Sequence, residues 1–145
     1  GRGVLQRVFS RRSLGHIRDK TMNLLALALG GALGAVSRFG IGQLLTTSGV
    51  AHLHVATFSV NVVGAFFMGF LFVAFERLEA PEALRMGLTV GFLGAFTTFS
   101  AFSLELLSDI QEGYLVRAAL YATLSVLICL ISCMLGFSFA RSIVD

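Results

Sequence analysis

The chain has 145 residues, of which 56% are hydrophobic and only 13% are charged. An ordinary soluble domain carries about 25% charged residues, so the composition excludes a conventional soluble surface. The formal net charge of +3 comes from residues 1–21, which hold six Arg or Lys against one acid, whereas from Met22 onward five Arg face seven Asp or Glu. The basic balance is therefore local, and it gives no reason to expect a nucleic-acid partner.

Residues 1–21 are rich in arginine, poor in acids and contain no apolar run of spanning length. They could form the n-region of a secretory signal, with residues 24–29 as its apolar region, and their composition also suits a transit peptide. Cleavage after such a signal would remove the first membrane span. We therefore interpret residues 1–21 as a basic leader, a tag or an extended start that lies outside the fold.

Four apolar runs follow, each close to the roughly 20 residues that a helix needs to cross a bilayer, with short connections between them. They predict an all-α, multi-pass protein of the cell membrane in which residues 22–145 form one domain. The predicted spans are residues 24–45, 55–75, 84–107 and 115–140.

The first span combines a strip of small residues with one charged side chain. Gly30, Gly31, Gly34 and Ala35 recur at helical spacing, which lets another backbone approach closely. Arg38 follows, and a charge deep in lipid costs at least ~2.5 kcal/mol. Either its side chain reaches the interface, or it lines an aqueous vestibule where it attracts anions.

The connection after the first span contains His52 and His54. We expect both histidines to face solvent, because the sequence offers no further ligands for a metal site there. Asn61 is the strongly polar residue of the second span. It either makes a structural hydrogen bond to a neighbouring helix or serves as a neutral pore donor, whose NH₂ group binds an anion without a full positive charge.

The third span contains GFLGAFTTFSAFS at residues 91–103, which predicts a break in the helix. Gly91 and Gly94 are conformationally permissive, and the hydroxyl side chains after them can bond backbone groups that a helix would use itself. Breaks of this kind are tolerated in membranes where protein or a water-filled cavity satisfies the freed groups, and transporters place ion sites at them. The hydroxyl residues are Thr97, Thr98 and Ser100.

Two aromatic rings and an acid follow the predicted break. Phe99 and Phe102 are three residues apart, so both rings can face the same passage. Glu105 lies one turn further along and either orients the helix or sits at the interface.

The fourth span carries hydroxyl and thiol side chains at helical spacing. Tyr121, Ser125 and Cys129 lie on one face, although a serine in a membrane helix often bonds its own i−4 carbonyl. Cys129 and Cys133 could supply only half of a tetrahedral zinc site, so we expect them to pack between helices.

Three motifs occur in a specific order: Gly30-Gly31-x-x-Gly34-Ala35-x-x-Arg38-Phe39, then Asn61-x-x-Gly64, then residues 91–103. From about Met22 to its end, the chain resembles the CrcB/Fluc family of small fluoride channels. The resemblance implies passive export of fluoride that relieves its toxicity. It also implies an antiparallel, dual-topology homodimer in the lipid bilayer, with the third helix of each subunit broken at mid-membrane and two fluoride pores per dimer.

The resemblance further implies roles for individual residues. Arg38 is expected at a vestibule, Glu105 in a vestibule or structural role, and the backbone carbonyls of Gly94 and Thr97 at a structural sodium ion on the dimer axis, which a second copy of the chain completes. The implied fluoride pore is lined by Asn61, Phe99, Ser100, Phe102, Tyr121 and Ser125.

Some positions depart from the family pattern. Ala101 removes a hydroxyl that many relatives carry, and Cys129 replaces a serine with a weaker donor. His54 and Ala56 stand where proline and glycine are common. We expect Ala101 to alter throughput rather than abolish function, and the local turn around His54 and Ala56 to differ.

The charges that flank the spans bear on orientation. Three arginines on the side of the termini against one or two on the other give a weak bias under the positive-inside rule, which permits insertion in both directions. Residues 1–21 would force one orientation, so we expect them to be absent from the native product or overridden. The arginines are Arg77, Arg85 and Arg141 on one side, and Arg117 and perhaps Arg38 on the other.

Other function classes fit the sequence less well. A four-span exporter of cationic drugs needs a carboxylate within the membrane, and the first span has none. A structural membrane protein would not explain the predicted break in the third span. No histidine lies within a span and no nucleophile–base pair is visible, so we do not expect an enzyme.

Overall fold

The protein folds into long helices, and the computed structural model describes residues 2–47 and 54–144, with side chains over 17–47 and 54–143. All regular structure in these two stretches is helical. The elements are α1 (Arg2–Thr47), α2 (Val55–Arg77), α3 (Glu82–Arg85), a π-helix (Met86–Leu93), α4 (Gly94–Phe96), α5 (Phe99–Gln111) and α6 (Leu115–Val144).

Four helical segments within the described residues are long and apolar enough to cross a membrane, and they confirm the four predicted spans. Their exposed surfaces carry many large apolar side chains, as lipid-facing helices do. α1 begins at Arg2 and so includes residues of the basic leader; that the leader lies outside the fold stays a prediction. The segments are Ile17–Thr47, Val55–Arg77, Glu82–Gln111 and Leu115–Ile143.

The glycine strip of α1 packs directly against the backbone of the third span. A Cβ atom on Gly30 would overlap the carbonyl oxygen of Gly87, and one on Gly34 would overlap that of Phe92. This confirms the predicted close approach of another backbone, because only a residue without a side chain fits there.

A second backbone contact joins α2 and α6. A Cβ atom on Gly69 would overlap the carbonyl oxygen of Cys133, and one on Gly136 would overlap that of Phe66. The four spans thus form two tight pairs, α1 with the π-helix and α2 with α6.

The third span is interrupted within the predicted stretch, but at its threonines and not at its glycines. Thr97 has ψ 158° and Thr98 has φ −150°, both extended, whereas Gly94 keeps helical angles of −63° and −35°. Gly91 lies inside the π-helix, where an added Cβ would come within 2.7 Å of the Leu27 carbonyl oxygen. The prediction that Gly91 and Gly94 supply the backbone freedom of the break is therefore wrong, and Gly91 is required for packing against α1.

Candidate functional site

Asn61 bridges the break in the third span. Its side-chain oxygen accepts a hydrogen bond from the backbone N–H of Thr98 at 2.7 Å, and its nitrogen donates to the Thr98 carbonyl at 3.0 Å. One side-chain amide thus satisfies both backbone groups of the residue at which the helix is interrupted. The Asn61 NH₂ group has a second N–H that this pairing does not use.

Thr98 caps the half-helix that follows the break. Its hydroxyl oxygen accepts a hydrogen bond from the backbone N–H of Ala101 at 3.1 Å, which satisfies one of the first amides of α5. Ser100 places its hydroxyl 3.2 Å from that of Thr98. A threonine directly before an apolar helical segment is the local sequence signal of this cap.

These bonds leave two carbonyl groups without their usual helical donors. In a continuous α-helix the Thr98 amide would bond the carbonyl of Gly94, and the Ala101 amide would bond that of Thr97. Here the first amide donates to Asn61 and the second to the Thr98 hydroxyl. Backbone carbonyl oxygens that have lost their helical N–H donors are suited to coordinating a cation at a helix break.

A cavity of about 400 Å³ lies beside the break, between α2, α5 and α6. Phe99 and Phe102 both line it, with ring centroids 5.4 Å apart and ring planes inclined by 45°. Phe99 is 76% exposed, so one side of the cavity is open in the single chain. Other lining residues of this break cavity are Asn61, Gly64, Met68, Thr97, Thr98, Ser125, Cys129 and Cys133.

Ser125 lines the break cavity from α6. Its side chain is only 6% exposed, and its hydroxyl has no hydrogen-bond partner among the described residues. A buried hydroxyl without a partner costs free energy, so this group suits a water molecule or a ligand in the cavity. Four of the six predicted pore residues therefore share one cavity: Asn61, Phe99, Phe102 and Ser125.

Tyr121 and Ser100, the other two predicted pore residues, do not line the break cavity. The Tyr121 hydroxyl donates to Glu105 at 2.7 Å, and the Tyr121 ring lies 5.2 Å from that of Phe102. Glu105 also accepts a hydrogen bond from the Thr57 hydroxyl, so this carboxylate joins α2, α5 and α6. The pore roles of Tyr121 and Ser100 stay predictions.

Arg38 lies on the other side of the break, in a second cavity of about 480 Å³ that we call the arginine cavity. Its Nε donates to the backbone carbonyl of Ala95 at 3.0 Å, so the guanidinium is anchored beside the break. Glu105 and His54 line the same cavity. Thr98 lines both cavities and therefore lies between them.

Asp109 lies at the centre of an ionic cluster that the sequence does not predict. Asp109 is 1% exposed and accepts a hydrogen bond from Arg117, while His54 places Nε2 3.2 Å from each of its carboxylate oxygens. The expectation that His54 faces solvent is therefore wrong, because an acid buried at the end of α5 binds it; His52 lies outside the described residues. The local signal was Gly113, whose positive φ of 85° ends α5 and turns the chain so that Arg117 meets Asp109.

The chain also matches known proteins. Residues 25–137 match the family described as CrcB-like protein, Camphor Resistance (CrcB). A protein of Magnetococcus marinus named fluoride-specific ion channel FluC is 44% identical over 123 residues, which cover 84% of this chain and 100% of the relative.

Two further relatives carry the same name. That of Idiomarina loihiensis is 40% identical over 109 residues, covering 75% of this chain and 84% of its own length. That of a Sulfurovum species is 42% identical over 113 residues, which cover 78% of this chain and 89% of the relative. These relatives are named as ion channels and not as enzymes, and the four spans make this chain a multi-pass protein of the cell membrane. By its three motifs, its matched span and the extent of these similarities, the chain belongs to the CrcB/Fluc family.

Proposed function

We propose that the protein is a passive fluoride channel that exports fluoride across the cell membrane and so relieves its toxicity. The observation that carries this proposal is the break cavity, which gathers Asn61, Phe99, Phe102 and Ser125 beside an interrupted helix. The relatives reported above are named fluoride-specific ion channels, which supports fluoride as the ion.

The lining of the break cavity suits a small, strongly hydrated anion. Fluoride can leave water only where hydrogen-bond donors replace its hydration shell, and Asn61 and Ser125 carry such donors. Aromatic rings have positive potential at their edges, so Phe99 and Phe102 can stabilise an anion without a fixed charge. The lining residues include no charged side chain, which keeps binding weak enough for the ion to leave.

The proposed route of the ion runs through both cavities. Arg38 raises the local concentration of anions in the arginine cavity, and Thr98, which lines both cavities, marks the passage from there to the break cavity. On this route Glu105, held by Thr57 and Tyr121, positions the side chains at the passage and does not itself bind the anion.

The proposal includes an antiparallel homodimer with two pores. Phe99 is 76% exposed and the break cavity is open on one side, so a second copy of the chain would complete its wall. A structural sodium ion would lie between the copies, held by the Gly94 and Thr97 carbonyls of each. The fit rests on the displaced amides of Thr98 and Ala101, which leave those oxygens without their helical donors. A bound sodium ion supplies charge that holds the broken helices together.

The direct test is ion efflux from liposomes that contain the purified full chain. Fluoride-loaded vesicles should release fluoride rapidly, chloride-loaded vesicles should release little chloride, and an imposed proton gradient should not change the fluoride rate. Phe99→Ile should reduce fluoride efflux by about tenfold or more, the effect of losing ~1.4 kcal/mol at the barrier.

Phe67→Ile is the matched control, because Phe67 is an exposed ring of α2 outside the break cavity and should tolerate the change. Equal release of chloride and fluoride, or fluoride movement that follows the proton gradient, would overturn the passive-channel proposal. Proton-coupled movement of organic cations would instead support a drug exporter.

A further inference from the structure

Three sulfur-containing side chains line the break cavity: Met68 of α2, and Cys129 and Cys133 of α6. We call them the sulfur cluster. Both cysteines are free thiols. Since they are four residues apart on a helix, their Cβ atoms are about 5–6 Å apart on one face, a separation that a single bound ion can bridge.

The backbone contact between α2 and α6 brings the third sulfur, that of Met68, close to the two thiols. A Cβ atom on Gly69 would overlap the carbonyl oxygen of Cys133, so the two helices meet at this level. Met68 adjoins Gly69 and lines the same cavity as the two thiols. Two thiols and one thioether therefore face a shared space large enough for an ion.

We propose that the sulfur cluster is a binding site for a soft monovalent metal ion such as copper(I), for which silver(I) is the probe. Thiolate and thioether ligands select soft ions of this kind, whereas structural zinc takes four ligands. Among the described residues no three His, Cys, Asp or Glu side chains could hold a metal, and the third donor here is instead a thioether. The ligand set thus favours copper(I) or silver(I) over zinc.

The binding step needs no oxidant or reductant. A single silver ion bonds to the sulfur atoms of both Cys129 and Cys133. Each thiol gives its proton to water, and the Met68 thioether adds a neutral donor. The product carries a net charge of −1 and two protons are released. Affinity therefore rises with pH, as it does wherever ligands must lose protons to bind a metal.

The site has a consequence that rests on the proposed function. Cys129 lies one turn from Ser125 in the proposed fluoride path. A bound ion there occupies the path, and the negative charge of its complex repels fluoride. Cys129 stands where the family resemblance leads us to expect a serine, so a chain that follows the family pattern at this position would lack one of the two thiols.

Silver binding to the purified full chain tests the site without any need for conduction. Native mass spectrometry and titration in nitrate medium, which avoids precipitation of silver chloride, should show one silver ion per chain. Cys129→Ser and Cys133→Ser should each weaken silver binding by more than about tenfold. In other metal sites, loss of a residue that only hydrogen-bonds a ligand already costs about tenfold or more, and here a ligand itself is lost. Met68→Leu should also weaken binding, whereas Met134→Leu, a change of an exposed methionine outside the cavity, should not.

The results separate the parts of the proposal. Stoichiometric silver binding that survives in the double variant Cys129→Ser/Cys133→Ser would overturn the site, provided that the variant elutes from gel filtration as the parent does. Equal affinity in Met68→Leu and Met134→Leu would remove Met68 from the ligand set.

Fluoride efflux in the presence of silver tests the blocking effect, with each variant compared with its own silver-free rate. Silver should slow fluoride efflux through the parent by at least about tenfold. Efflux through Cys129→Ser should be the same with and without silver, because this variant lacks one of the ligands. Unchanged efflux despite bound silver would place the sulfur cluster outside the ion path. A chain that binds silver but releases no fluoride even in its absence would refute the channel proposal and leave the metal site standing.

Discussion

Asn61 has the structural one of the two roles that the sequence left as alternatives, and its geometry also allows the proposed pore role. Its amide holds the N–H and C=O of Thr98 across the helix break, which is a structural role, and its second N–H remains available beside the break cavity. The two roles are compatible, because an amide that is fixed by two hydrogen bonds presents its remaining donor in a constant direction.

Replacement of Asn61 by alanine should therefore lower stability as well as activity. Asn61→Ala leaves the N–H and C=O of Thr98 without hydrogen-bond partners, and each buried unpaired group costs about 1–3 kcal/mol. The midpoint of thermal unfolding in detergent should therefore fall, and fluoride efflux should be lost. Ser59→Ala, on the opposite face of α2, is the control. An Asn61→Ala protein that unfolds at the parent temperature would show that the pairing with Thr98 contributes nothing to the fold.

Asp109 provides a second prediction at the residue scale. Asp109→Leu should lower the unfolding temperature because it leaves Arg117 and His54 without their shared carboxylate. The double variant Asp109→Leu/Arg117→Leu should recover part of this loss, since a partly buried ion pair is damaged most when only one member is removed. Equal unfolding temperatures for the single and double variants would contradict a direct interaction.

Residues on one helix were easier to predict than residues that meet across helices. The spacing of Phe99 and Phe102 was enough to place both rings at one cavity. The bond between Tyr121 and Glu105 and the contact between His54 and Asp109 depend on which helices are neighbours, and helical periodicity contains no information about that.

At the scale of the elements, the glycines of α1 set how closely two helices approach. Gly34→Ala should destabilise the protein by about 1–3 kcal/mol, because the added methyl group would overlap the Phe92 carbonyl oxygen. Gly40→Ala is the matched control on the same helix. Beyond the local helix backbone, no atom lies within 4 Å of where its Cβ would be, so the better helix propensity of alanine should leave stability unchanged or raise it by up to ~1 kcal/mol. Thermal unfolding of both variants checks this, and similar losses at the two positions would argue against the packing of α1 on the third span.

The position of the break shows the limit of reading single residues as signals. The sequence predicted four spans and an interruption within residues 91–103, and both occur in the structure. The glycines of this stretch predict the break, but Gly91 is needed where α1 comes close. The interruption falls on threonines whose backbone is held by Asn61 and by a helix cap. A glycine serves either flexibility or close packing, and only the neighbouring helix decides between them.

For the molecule as a whole, the proposed sodium ion makes stability depend on the cation in solution. Removal of sodium, with N-methylglucamine as the replacement at equal ionic strength, should lower the unfolding temperature of the purified protein. An ion present at 100 times its dissociation constant contributes about 2.7 kcal/mol. Potassium serves as the control for a specific site. An unfolding temperature that is the same in all three cations would exclude a stabilising sodium ion between the Gly94 and Thr97 carbonyls.

The π-helix at Met86–Leu93 has a consequence for how the chain tolerates changes in length. Its i→i+5 hydrogen bonds accommodate an extra residue relative to an α-helix, so loss of one residue there can convert a turn to α-helix and preserve the direction of everything that follows. Loss of one residue within α2 instead rotates all later side chains of that helix by about 100°. Single-residue deletions should thus be absorbed in residues 86–93 and disruptive in α2, and natural variation in the length of the third span has a place where it can accumulate.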